Sequence, residues 1–149
     1  MTKHNDSLRR NSKTEWKRCI MELPDELFFP LIKTYLGDIK TPFHKPRLVE
    51  RLASFLIQKE TVERIIALID RQDAKILSAV YLLEESTAKE LFRLFEQERD
   101  FFSFHNHLLN LHERLLLYSR PSDSTLSLNP YLLEALREEV ITEKLLFPP

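Results

Sequence analysis

Glycine is almost absent from this 149-residue chain, which holds one, Gly37. A phosphate-cradling loop or a dinucleotide fingerprint needs several glycines, because backbone amides must close on the phosphates with no Cβ in the way. The G-x-S-x-G turn of a serine hydrolase is excluded on the same ground. Cysteine is equally scarce. Cys19 alone cannot form an internal disulfide, a CxxC zinc half-site or a dithiol redox pair. No stretch approaches the roughly 18 apolar residues of a membrane span. The polar residues from Met1 to Arg18 contain no signal-peptide core. These absences lead to the expectation of a cytoplasmic, non-catalytic binding protein. It should need no cofactor and no metal, associate with no membrane and take no small-molecule substrate.

What is present is enough apolar residue, 43%, to build a core, and enough charge, 30%, to keep the surface wet. The net charge of −1 conceals an asymmetry. Met1 to Arg51 holds 11 Lys and Arg against 7 Asp and Glu, a balance of +4; the remainder holds 11 against 16, a balance of −5. A basic front end can present a cationic face to a polyanion even in a neutral chain.

Composition and periodicity divide the chain into residues 1–14, 15–72 and 73–149. The first is a basic arm, expected to be disordered for want of anything to bury, and carries Lys3, Arg9, Arg10 and Lys13. In the second, Pro24 suits a helix start and Gly37 a helix stop, with Leu27, Leu31 and Tyr35 recurring on one face between them. A loop from Asp38 to Lys45 leads to a helix from Pro46 to about Gln58, striped by Leu48, Leu52, Phe55 and Leu56, and then to a helix from about Glu60 to Ile69.

In the third part Asp73 is the expected cap of a helix from Ala74 to Leu83. Thr87 and Glu90 have the T-x-x-E spacing of a capping box. The helix they open should bury Leu91, Leu94 and Phe95. Another, from Phe101 to Arg114, places Phe104, Leu108, Leu111 and Leu115 on one buried face. Leu115 to Ser119 and Thr125 to Leu128 read as two strands about the turn Arg120-Pro121-Ser122-Asp123-Ser124. A last helix, from Pro130 to about Leu146, should expose Glu134, Glu138, Glu139 and Glu143.

This order, from Asp73 to Pro130, resembles the winged helix-turn-helix family, although Arg114 stands where that family often has glycine. The resemblance implies a third helix that reads a DNA groove through Ser103, Asn106, His107 and Asn110, with Arg120 in the wing. That helix carries no outward lysine or arginine, and a weakly basic winged helix serves equally as a protein platform. Residues Leu23 to Leu56, with Lys45-x-x-Leu48-Val49-x-Arg51-Leu52 in their second helix, resemble the SAP motif, a small helix–loop–helix DNA-binding unit. Lys40, Lys45, Arg47 and Arg51 gather about the start of that helix, where the dipole favours an anion.

The fold expected is therefore mainly α, a helical N-terminal region packed on a C-terminal winged helix with one small β-hairpin. DNA, as duplex, is the leading expected partner, in a transcription- or chromosome-associated role. The runner-up is a protein–protein interaction module, with a protein partner or homodimer meeting at Phe101 and Phe102 or at the acidic last helix. The histidines, His4, His44, His105, His107 and His112, show no i, i+4 pair and point to no metal site. Cys19, though beside Lys17 and Arg18, reads as a structural thiol.

Overall fold

A computed structural model of the chain describes residues 2–40 and 44–146, with side chains from Ser12 onward. Among these residues the protein is mainly helical, with eight α-helices and one two-stranded antiparallel hairpin. It divides into two compact units, Met1–Val62 and Glu63–Pro149.

The first unit contains α1 (Thr2–Met21), α2 (Asp25–Leu36) and α3 (Lys45–Ile57), and α4 (Lys59–Ala67) crosses the division. The expected disordered arm is instead helical from Thr2. No proline or glycine occurs before Pro24, and the second half of α1 is anchored, with Trp16, Cys19 and Ile20 buried. A helix nucleated by that docking extends toward the N-terminus at little cost per residue. The Lys3, Arg9 and Arg10 side chains lie outside the described residues, as do Pro42 and Phe43 of the loop.

Both α1 and α2 pack on α3, which contributes Leu48, Val49, Leu52, Ala53 and Leu56. The face of α2 that is buried is Phe28 and Ile32, one position round from the stripe expected from spacing. Leu27 is 59% exposed. Two adjacent stripes share the same four-residue spacing, and the one bearing phenylalanine removes more surface from water. Gly37 ends α2 as expected, at φ 82° and ψ −163°, a backbone region in which a side chain is strained.

The second unit runs α5 (Arg71–Leu82), α6 (Ala88–Phe92), α7 (Phe101–Glu113), β1 (Leu117–Ser119), β2 (Leu126–Leu128) and α8 (Leu133–Glu139), then a single 3₁₀ turn at Glu143–Leu145. The capping box at Thr87 and Glu90 forms as its spacing predicts. The cap of α5 is Asp70, with Asp73 as its reciprocal partner at the third helical position. The expected cap was thus three residues late. The helix α6 stops at Phe92, and the turns that follow leave Leu94 42% exposed while Phe95 stays buried. The last helix ends at Glu139 rather than near Leu146, because Val140 departs from helical geometry.

The strands pair in the register Leu117↔Leu128, Tyr118↔Ser127 and Ser119↔Leu126. The link between α5 and α6 joins them: Thr87 bridges Thr125, and the Leu126 amide donates to the Ser86 carbonyl at 2.9 Å. All four residues of the expected α7 stripe, Phe104, Leu108, Leu111 and Leu115, are buried.

The turn from α7 into β1 is made by a leucine in a left-handed conformation, Leu115 at φ 61°. Its amide donates to the His112 carbonyl and the Leu116 amide to Leu111, both at 3.0 Å, the helix-ending pattern that glycine usually completes. Two things hold the strained residue. Its side chain is buried in the core, and its carbonyl accepts from Asn129 Nδ2 at 2.8 Å while the Asn129 amide donates to Leu116 at 3.0 Å.

Candidate functional site

Arg47 and Arg51 stand one turn apart on the solvent face of α3, with no ion-pair partner among the described residues. They border a shallow depression floored by Leu36 and Phe55. Glu50 lies between them but is held by Lys17 at 3.0 Å. Lys40 is exposed in the preceding loop. Lys45 is not available in the same way. Its ammonium donates to the Leu23 carbonyl at 2.9 Å, pairs with Asp25 at 3.3 Å and lies over the Phe28 ring at 4.6 Å. Its role is to tie the start of α2 to the start of α3.

The proposed groove readers of α7 divide. Asn106 is exposed. Asn110 is also exposed, and its Oδ1 accepts from Arg114 at 3.1 Å. Ser103 and His107 belong to a network that sequence reading missed. Asp73, 3% exposed, accepts from His107 Nε2 at 2.7 Å and from Arg114 Nη1 at 3.0 Å. Arg99 Nη1 lies 2.9 Å from His107 Nδ1, and Arg99 Nη2 donates to the Ser103 carbonyl and hydroxyl at 3.2 and 3.1 Å. A guanidinium can only donate, so Nδ1 accepts and Nε2 carries the proton toward Asp73. Burial pushes the Asp73 carboxyl up, but hydrogen bonds from His107, the Asp70 amide and Arg114, with the charge of Arg114, hold it below the usual value of 3.8.

With His107 turned inward, the outer face of α7 is Phe102, His105, Asn106 and Leu109. Phe102 is 75% and Leu109 46% exposed. None of the residues from 101 to 112 is charged at neutral pH with histidine neutral. Phe101, on the flank, stacks over His105 with ring centres 5.9 Å apart.

Beside it, burial and then the neighbouring His105 push His112 from 6.5 down to about 4. A lowered folded value means that the unfolded chain binds this proton first. The stabilisation is therefore complete above pH 6.5 and lost as the pH falls toward 4. Thermal melts at pH 7 and pH 4.5 should differ by up to about 3 kcal/mol from this group. A His112→Gln variant should lose that part of the difference.

In the hairpin, Asp123 accepts from the Thr125 hydroxyl at 2.7 Å and its amide at 3.1 Å, and these bonds hold its carboxyl below the usual range. Arg120, the expected wing contact, is half-buried at the base of the turn, its amide donating to the Thr125 carbonyl at 2.9 Å. Among the described residues there is no cluster of three His, Cys, Asp or Glu able to hold a metal ion, and no helix long and apolar enough to cross a membrane.

Residues 1–57 match the TP_0021_N family model, described as an N-terminal domain. That span ends with the last residue of α3 and covers less than half of the chain. No curated protein and no solved structure matches the chain.

Proposed function

We propose that this chain is a non-catalytic protein-interaction module. Its second unit is read as a winged-helix arrangement, and α7 presents the contact face to another protein. The observation that carries this reading is the outer face of α7, where Phe102 is 75% exposed on a helix whose solvent side has no charge from 101 to 112. An apolar stripe on a surface otherwise rich in charge marks a place where water is meant to leave. A nucleic-acid reader needs cations at that position to meet phosphates. The winged-helix reading is supported by the helix–helix–helix–hairpin order and by the Thr87–Thr125 bridge, which adds a third short strand segment to the hairpin.

The test is co-purification of the tagged full chain from its own cells. The chain is tagged in cells that also carry an untagged copy. A partner present in stoichiometric amount with the native chain, the untagged copy included, and lost with Phe102→Glu or Leu109→Glu, is the expected result. A native chain that brings down neither an untagged copy nor any protein missing from the variants would overturn the reading.

A second reading, nucleic-acid binding through the first unit, is favoured by Arg47 and Arg51, exposed one turn apart on α3. It predicts affinity for a labelled duplex that falls steeply between ~50 and ~200 mM salt. Arg47→Glu with Arg51→Glu should abolish it. A duplex that fails to bind even at low salt removes this reading and leaves the first untouched.

A further inference from the structure

We infer that the partner of α7 is α7 of a second copy of this chain, laid antiparallel across a two-fold axis between His105 and Asn106. The inference rests on the protein-interaction reading above and supplies its occupant. The outer face is self-complementary. About the point between residues 105 and 106, Phe102 maps onto Leu109, and His105 maps onto Asn106. In an antiparallel pair each exposed Phe102 ring meets the partner's exposed Leu109, the two largest apolar groups on this face. At the axis each imidazole lies beside a carboxamide, and the two can exchange hydrogen bonds in both tautomers.

The spacing of 102, 105/106 and 109 is the three–four alternation of a helix-pairing seam. The buried side of α7, Phe104, Leu108 and Leu111, lies opposite, so pairing needs no rearrangement of the core.

Electrostatics leave this occupant unopposed. Two copies of a charged face repel each other; two copies of this one do not, because residues 101–112 are uncharged. An acidic or basic partner would find no counter-charge there. The antiparallel arrangement sets the positive start of each helix beside the negative end of the other. Glu113 lies one turn beyond Leu109, at the rim of the seam.

The experiment is a mass measurement of the full chain by sedimentation equilibrium from ~10 μM to ~1 mM, the range in which a small apolar seam associates. The expected result is a rise from 17.8 kDa toward twice that mass, undiminished by added salt. Phe102→Glu and Leu109→Glu, both at exposed positions, should each hold the chain at 17.8 kDa and melt at the temperature of the native chain diluted to its monomer.

Asn106→Cys should form an intermolecular disulfide on mild oxidation, and Phe102→Cys should not, since Cys19 is buried. A monomeric native chain at every concentration overturns the second copy as occupant. The protein-interaction reading then stands or falls separately on co-purification. A dimer that survives Leu109→Glu, or one that Phe102→Cys cross-links, overturns the antiparallel seam.

Discussion

Asp73→Ala should destabilise the second unit by about 2–4 kcal/mol, from the loss of a helix cap together with hydrogen bonds to a charged acceptor. The carboxylate is 3% exposed and serves three groups at once: His107 at 2.7 Å, Arg114 at 3.0 Å and the Asp70 amide at 3.0 Å. Its loss leaves the His107 N–H without an acceptor and breaks the reciprocal cap of α5. Arg114 keeps Asn110 and the Leu68 carbonyl but loses its counter-charge.

Urea unfolding followed by circular dichroism would measure the cost. Repeating the substitution in an Arg114→Leu background isolates the charge pairing. There the cost of Asp73→Ala should be smaller, because no stranded cation remains. Equal costs in the two backgrounds would mean that the pairing contributes nothing beyond the cap.

Trp16→Ala should cost the first unit about 3–5 kcal/mol, as a large buried aromatic replaced by a cavity. Trp16 is 1% exposed and sits with Cys19 and Ile20 on the side of α1 that packs against α3. Since this anchor holds a helix that begins at Thr2, the variant should also lose far-ultraviolet signal out of proportion to one residue. Trp16 is the only tryptophan, so fluorescence follows unfolding in the native chain but not in the variant. A variant with the native helical signal and midpoint would show that α1 does not depend on this contact.

These two side chains mark where sequence reading succeeded and where it stopped. Local signals were legible. The Thr87–Glu90 box forms, Gly37 ends α2, the hairpin forms about Arg120 to Ser124, and the stripe from Phe104 to Leu115 is buried. Each depends on spacing within a few residues.

What sequence could not fix was the choice of a partner across the chain. Lys45 had a leucine carbonyl 22 positions away as an alternative to a phosphate, and His107 had an aspartate 34 positions away as an alternative to a base edge. The face of α7 was misjudged for a simpler reason. Ser103 and His107 lie on the flank of the helix, where a turn of a few tens of degrees decides between solvent and Arg99. The one signal available was Arg99 itself, a cation just before a helix containing no other. The polar composition of residues 1–14 does not show the helix that runs through them, because what anchors it, Trp16, lies beyond their end.

Leu115 has a further consequence. A glycine at the end of α7 would let the hairpin pivot as a separate arm, free to reorient on a target. With a leucine there, the residue that bends the chain is also part of the packed interior, and any swing of the hairpin must first expose it. Helix and hairpin should therefore open as one cooperative block, with the amides of Leu115 and Leu116, bonded to the His112 and Leu111 carbonyls, exchanging hydrogen only when the whole unit unfolds.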